Sequence, residues 1–376
     1  MPGTADTVDV TSFVDSVRAD VGGWDRAGGL PATIVKTMAT GRFLAADLPR
    51  RYGGADLGQH DLGELCASLG GVCSALRSLV TVQGMVAAAL LRWGTGPQRS
   101  AWLPTLASGE NIAGFAATEE GAGSDLGAMS TTVRGHGDDV VVRGRKLWVS
   151  LGRLATVFLV FGRQDGLPVA VLVESDRPGV VVEPITDPLG LRAAQLANIR
   201  FEDVRVPRDN LVAPAGFGLS HVAATAVDHG RHTVAWGCVG LATACLDHAV
   251  QHAARRVQGT VRLAEHQLVR AILGRAYVAT SGARQLCAHA ARLRERRAPS
   301  ATAETVVAKY AGAAAAASVS QDAVQLLGAA GCGSDSPVNR FFRDAKIMQI
   351  IEGSREVGEL DIGEFALRTA GPDRTL

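Results

Sequence analysis

Arg343-Asp344-Ala345-Lys346-Ile347-Met348-Gln349-Ile350-Ile351-Glu352-Gly353-Ser354 sets one acidic residue between the end of an apolar helix and a glycine turn. Upstream, Val338, Phe341, Phe342, Ala345 and Met348 recur at helical spacing, which predicts a helix with one apolar face. Gly353 is a natural stop for that helix. A carboxylate at such a junction lies near apolar side chains, where loss of hydration raises its pKa. A base poised nearer neutrality can then remove a weakly acidic proton. Taken alone, Glu352 reads as a solvated glutamate following a helix, and Arg343 and Asp344 as a solvated helix face. The rest of the chain has to separate these readings.

Working outward, residues from about 214 onward read as helical, with Ala-rich runs such as Ala311 to Val319. Alanine is the best helix former, and small side chains let helices approach closely. Residues 1 to about 112 are also helical. Leu62, Leu65 and Cys66 keep helical spacing, a second run covers Met85 to Leu91, and Pro31, Gly53-Gly54, Gly70-Gly71 and Gly94 to Pro97 punctuate the segment. Between them the pattern changes. Val140 and Val142, then Leu147 and Val149, alternate, and Val157 to Phe161 and Val169 to Val173 are short β-branched and aromatic runs. Glycines 135, 137, 144 and 166 separate these runs, so an antiparallel β unit is expected. The expected organisation is α+β: a helical domain over 1–112, a β domain over 113–213 and a helical bundle over 214–376.

Thr118-Glu119-Glu120-Gly121-Ala122-Gly123-Ser124-Asp125 follows the apolar run Ile112 to Ala117. Its glycines let backbone N–H groups approach a ligand, and Thr118 and Ser124 add hydroxyls. A dinucleotide fingerprint would need a helix directly after the loop. Strand-like Thr131 to Val133 follows instead, so a Rossmann site is rejected and an ordinary glycine-rich hairpin remains the alternative. In Gly144-Arg145-Lys146-Leu147-Trp148-Val149-Ser150, Trp148 is either core or a platform for a planar cofactor, with Ser150 bonding the cofactor's polar edge. His266 alone reads as a packing or capping histidine.

The bulk numbers exclude several classes. Lys plus Arg is 38 and Asp plus Glu is 37, so no basic field attracts nucleic acid. Apolar residues are 47% of the 376, a globular composition with more than one structural unit. The six cysteines show no metal-ligand spacing and read as small buried residues in a reducing compartment. The first 30 residues carry Asp6, Asp9, Asp15 and Asp20 and no long apolar run, and the stretch around Val234 to Leu246 is too short for a bilayer. A cytoplasmic protein without membrane contact is expected.

Six segments, in this order, resemble the acyl-CoA dehydrogenase family over nearly the whole chain. They are TEEGAGSDL at 118–126, GRKLWVS at 144–150, FEDVRVP at 201–207, EHQ at 265–267, QLLG at 325–328 and RDAKIMQIIEGS at 343–354. The resemblance implies an N-terminal helical domain, a middle β domain, a C-terminal four-helix bundle, and FAD between the last two. By motif position, Phe115, Ala117 and Thr118 would line the isoalloxazine edge, Gly123 and Ser124 would approach the pyrophosphate, and Trp148 and Ser150 would flank the ring. Arg256, Gln267, Gln325 and Gly328 match residues that serve the adenosine half of a neighbouring subunit's FAD, which implies a homodimer or homotetramer. Ser354 and Glu356 match residues touching the flavin chain, and Arg231 and Gly353 match substrate contacts.

Glu352 matches the family's catalytic base. Members that place the base elsewhere carry it just before an arginine, and that position here is Gly230, ahead of Arg231. The base would remove the proton α to a thioester carbonyl while the β-carbon gives hydride to flavin. The thioester oxygen would be held by the Glu352 backbone N–H and a flavin ribityl hydroxyl. One departure stands out: the usual Arg-x-x-Phe-Gly reads Arg256-Val257-Gln258-Gly259-Thr260, so a phenylalanine near the adenine is missing. A milder one is Ala329 for the second glycine after Gln325. A narrower resemblance, carried by Cys73 to Ser78, Gln83 to Met85 and Val234 to Gly240, is to the acyl-carrier-protein dehydrogenases of hydroxymalonyl and methoxymalonyl extender-unit pathways. It implies a short polar acyl group on a carrier protein. The alternatives are ordinary desaturation of an acyl-CoA, a flavin oxidase like the nitroalkane oxidases, whose base is Asp, and a flavin-free scaffold. The sequence names no electron acceptor.

Overall fold

A computed structural model describes residues 9–370; Asp6 lies outside them. Six helices come first: α1 (Val10–Val17), α2 (Val21–Ala27), α3 (Ala32–Thr40), α4 (Gln59–Gly70), α5 (Ser74–Trp93) and α6 (Gly96–Ser108). Helix α5 is apolar nearly all round and is accordingly buried on nearly every face. Eight strands follow: β1 (Ala113–Ala116), β2 (Thr132–His136), β3 (Asp139–Val149), β4 (Val157–Gln164), β5 (Leu167–Glu174), β6 (Val180–Pro184), β7 (Ala197–Pro207) and β8 (Leu211–Val212). They form one sheet in the order β6-β7-β3-β2-β4-β5-β8, with β1 on β4. The expected β unit is present, but β1 and β2 each pair with β4 in parallel while the other pairings are antiparallel. Neither parallel pair is joined by a hairpin: β1 enters the sheet from α6, and β4 lies on the side of β2 away from β3.

A π-helical turn, Gly218–Ala223, leads into α7 (Ala224–Arg255). A small hairpin, β9 (Val257–Gln258) and β10 (Val261–Arg262), connects it to α8 (Gln267–Glu295) and α9 (Ala301–Leu327). The short α10 (Ala329–Cys332), then α11 (Pro337–Met348) and α12 (Arg355–Ala370), complete the chain. Helices α7, α8 and α9 pack together, α11 lies against α7 and α9, and α12 against α9. The N-terminal helices share this core, because α4 and α5 pack on α7. The close approach needs glycines: a Cβ on Gly240 would lie 1.9 Å from the Ala67 carbonyl, and one on Gly70 would lie 2.4 Å from that of Gly237.

Several expectations are corrected. The Val234 to Leu246 stretch is part of a longer apolar helix. It and α5 both meet the length and hydropathy of a bilayer span, yet both are mostly buried inside the protein. Five cysteines are buried as expected, but Cys332 is exposed. Helix α11 ends at Met348, four residues before Glu352. Val338, Phe341, Ala345 and Met348 are buried on it, whereas Phe342 is exposed. Arg343 and Asp344 are not a solvated face. Arg343 Nη2 donates to Asp25 Oδ2 at 2.5 Å, and buried Asp344 accepts from the Leu191 backbone N–H at 2.7 Å. They tie α11 to α2 and to the β6–β7 connection.

Candidate active site

Glu352 sits in the turn between α11 and α12, at φ 54°, and Gly353 follows at φ 95°. Two left-handed residues in succession are costly unless the surroundings fix them. Two cations do so here. Arg231 Nε on α7 donates to the Glu352 carbonyl at 3.1 Å, and Lys309 Nζ on α9 donates to the Gly353 carbonyl at 2.5 Å. The turn aims the Glu352 side chain at α7. A Cβ built on Gly230 would stand 2.7 Å from Glu352 Oε2, so the carboxylate occupies the space that the missing side chain leaves. Desolvation pushes its pKa up to about 7, and the charges of Lys309, Arg231 and Arg77 oppose only part of that rise.

The carboxylate borders a cleft of about 550 Å³ between α9, α11 and α12. Arg231, Lys309, Phe342, Gln349, Gly353 and Ser354 line it with Glu352. The structure thus gathers Glu352, Arg231, Gly353 and Ser354. Phe342, outside the core, belongs to this cleft. Ser354 Oγ also accepts from the Val357 N–H at 3.4 Å, starting α12, and Glu356 is exposed one turn on.

A second group forms on the β domain. Phe115 on β1 is half-buried, its ring centroid 5.0 Å from that of Phe161. The Ala117 carbonyl accepts from Lys146 Nζ at 3.1 Å, and the Thr118 carbonyl from the Leu147 N–H at 2.8 Å. The register of β3 on β7 shifts between Lys146 and Val149. This bulge turns Trp148 out of the sheet at φ 56° and leaves it 58% exposed. Trp148 is therefore not core, and Ser150, half-buried, lies just beyond it. The 118–125 loop is followed by one 3-10 turn and then β2, not by a helix. Gly121 and Gly123 have open space at the Cβ position, and Ser124 is exposed.

Glu119, whose role the sequence does not signal by itself, shapes this loop. It is buried, and it accepts from Lys146 Nζ at 2.7 Å, from Ser130 N–H and Oγ at 2.6 Å each, and from Thr131 N–H at 3.1 Å. Burial alone would raise its pKa, but these hydrogen bonds outweigh it and hold the group at about 2. Alternation carried on from Val140 and Val142 places Lys146 on the inward face of β3, and so could have signalled a buried lysine needing an acid.

Arg256, Gln267, Gln325 and Gly328 are not part of either group. All four are exposed at helix ends: Arg256 after α7, Gln267 at the start of α8, Gln325 near the end of α9 and Gly328 just past it. His266, also exposed, occupies the N-cap position of α8. The missing phenylalanine has a backbone reason. Gln258 pairs with Val261, so Gly259 and Thr260 form a two-residue turn, and Gly259 adopts φ 66°.

Family models for the acyl-CoA dehydrogenase N-terminal, middle and C-terminal domains match residues 8–110, 114–204 and 218–367. The mitochondrial short-chain specific acyl-CoA dehydrogenase of Mus musculus is 34% identical over 357 residues, covering 92% of this chain and 85% of that protein. Among solved structures, FkbI for biosynthesis of the methoxymalonyl extender unit of the polyketide Fk520 superposes with a TM-score of 0.89 at 38% identity, over 96% of this chain and 99% of that one. A glutaryl-CoA dehydrogenase from Mycobacterium smegmatis, solved with FADH2, gives 0.91 at 27% identity, over 96% and 94%. With all three domain models matched in order around a glutamate folded against Gly230, this chain belongs to the acyl-CoA dehydrogenase family, whose members are FAD-dependent oxidoreductases.

Proposed function

We propose that this protein is an FAD-dependent dehydrogenase of a short, polar acyl thioester carried by an acyl carrier protein. The observation that carries the reading is the Glu352 carboxylate, desolvated and held in the space over Gly230 at the edge of the cleft. A base there can take a proton α to a thioester carbonyl, because its pKa near 7 brings it closer to that weak acid than an ordinary glutamate. Arg231 and Lys309 position it through the two carbonyls that they bind.

The β-domain residues fit the cofactor. An aromatic plane forced outward by a bulge, next to an open glycine loop with free hydroxyls, suits a flavin and its phosphates. Trp148 and Ser150 would flank the ring, Phe115, Ala117 and Thr118 its edge, and Gly123 and Ser124 the pyrophosphate. Bound FAD would supply the hydride acceptor. Arg256, Gln267, Gln325 and Gly328, remote from this chain's own site, would serve the FAD of a second copy. Glu352 and the fold speak against both the Asp-based oxidases and a flavin-free scaffold, and a yellow purified protein would separate enzyme from scaffold.

The carrier-protein choice is supported by the 38% identity to FkbI. Desaturation of an acyl-CoA is the second reading, supported by 34% identity to the mouse short-chain enzyme. Matched thioesters on a carrier protein and on CoA, read by flavin bleaching and mass spectrometry, decide between them. The carrier-protein form is expected to give the higher kcat/KM, since the carrier surface adds remote binding energy. Equal values would remove the carrier preference. Glu352→Gln is expected to keep the oxidised flavin spectrum and lose about 10²–10⁴ in the rate of flavin reduction. Near-normal reduction would place the base elsewhere.

A further inference from the structure

A second cavity, of about 370 Å³, lies away from the Glu352 cleft, lined from the end of α1, from α2, from α7 and from α11. None of the residues assigned above to the flavin or the thioester borders it. Three arginines do, Arg18, Arg26 and Arg340, together with His248 and a single carboxylate, Asp335. Arg340 on α11 is only 6% exposed. Its Nη2 donates to the Val72 carbonyl at 2.9 Å, its Nε is buried with no partner, and its Nη1 has no hydrogen bond among the described residues. The ring of Phe341, 5.1 Å away, offers only a π face. A buried guanidinium without a carboxylate is costly, and unused donors add to that cost.

The neighbouring carboxylates do not relieve Arg340. Asp344 accepts from the Leu191 N–H, and burial pushes its pKa up in spite of that bond and of the Arg340 charge. Asp335 accepts instead from Arg26 Nη1 at 2.7 Å, and Asp15 from Arg18 Nη2 at 3.1 Å. All four of those side chains are more than half exposed, so both pairs are weak and leave most of each guanidinium's donors free. The tips of two arginines converge on one bare point of α2: a Cβ on Gly22 would stand 3.6 Å from Arg26 Nη1 and 3.9 Å from Arg340 Nη1. His248 shares the same space. Burial lowers its pKa; Asp247 opposes this, and the charges of Arg18 and Arg340 add to it.

A cavity ringed by under-used guanidinium groups suits an anion. A carboxylate has two oxygens in one plane and serves one guanidinium fork, whereas a phosphate turns three oxygens in different directions and carries up to two charges. We propose that this cavity is a phosphate-binding site, taking either the free ion or the end group of a compact phosphate ester, with Arg340 at its floor and Arg18 and Arg26 at its mouth. Beyond the arginines the wall includes Val21 and Pro337, which gives an ester's organic body an apolar surface. The bound group would clamp α2 to α11, as the Arg26–Asp335 and Arg343–Asp25 pairs already do. The site is independent of what the Glu352 cleft binds.

The test titrates the FAD-loaded protein, whose flavin phosphates are already in place, with inorganic phosphate, glycerol 3-phosphate and malonate by calorimetry at equal ionic strength. Both phosphates are expected to bind saturably at one site per chain and to raise the melting temperature, because they bind the folded state alone. Tighter binding of glycerol 3-phosphate assigns the site to an ester, and equal binding assigns it to the free ion. Malonate is expected to bind at least about tenfold more weakly. Arg340→Met is expected to abolish phosphate binding. Arg18→Gln combined with Arg26→Gln, at exposed positions where folding is not at risk, is expected to weaken it at least about tenfold. Absence of saturable binding by either phosphate, malonate binding as tightly as they do, or undiminished binding in the folded double variant overturns the inference.

Discussion

Glu352 pays for its position with an unfavourable charge, and this fixes the sign of its pH behaviour. Its folded pKa, about 7, lies above the ordinary value of 4.5. The folded state therefore holds the proton more tightly, and the group's stabilising contribution is complete below about 4.5 and lost as pH rises through about 7. Glu352→Gln, which stays neutral, should melt above the parent at pH 8, with the gap closing at pH 5. A variant that melts below the parent at pH 8 would mean that the carboxylate is not desolvated. Catalysis has the opposite requirement, because only the ionised form is a base. Flavin reduction by substrate should rise through an apparent pKa near 7. Lys309→Met removes a buried cation and should move that limb to higher pH, besides loosening the Gly353 turn. An unmoved limb would assign Lys309 a purely structural role.

At the scale of elements, the buried Glu119–Lys146 pair links the loop after β1 to the bulge of β3, and so couples the groups proposed to face the flavin. Lys146→Met would leave Glu119 buried without its cation, a loss on the order of 3–5 kcal/mol. A large drop in melting temperature and weaker flavin retention are expected, and a variant with parental values for both would show that the loop is held otherwise. Glu119 has a depressed folded pKa, so its contribution is present above about 4.5 and fades as pH falls toward 2. Local signals made the strands around these residues legible: alternation marked β3, and β-branched runs marked β4 and β5. The apolar spacing of 338–348 likewise marked α11. Its end was not legible, since the turn at 349–353 is fixed by Arg231 and Lys309 from other helices rather than by a local stop. Arg343 and Asp344 were misread for the same reason, their partners being Asp25 and Leu191, far away in sequence. The outward turn of Trp148 was left open, because strand alternation predicts a side but not a bulge.

At the scale of the whole molecule, two helices carry large apolar side chains that the core leaves exposed. On α8, Leu268, Tyr277 and Val278 are 80%, 65% and 69% exposed, and on α12, Leu360 and Leu367 are 71% and 77% exposed. Such side chains, close in sequence to Gln267 on one helix and to Glu356 on the other, suit burial against a second copy. The same assembly would bring Arg256, Gln267, Gln325 and Gly328, useless to their own chain's cleft, to a neighbour's cofactor. Association and cofactor binding should then fail together. In sedimentation the parent is expected to be at least a dimer, and Leu268→Asp with Tyr277→Asp should shift it to monomer and lower FAD occupancy, although neither residue belongs to the flavin-facing group. Arg256→Ala should lower occupancy while leaving the dimer intact, because the phosphate contact proposed for it would be charge-assisted, worth about 1.5–3 kcal/mol. A fully flavinated monomer would show that one chain completes its own site, and the adenosine-side residues would then need another role.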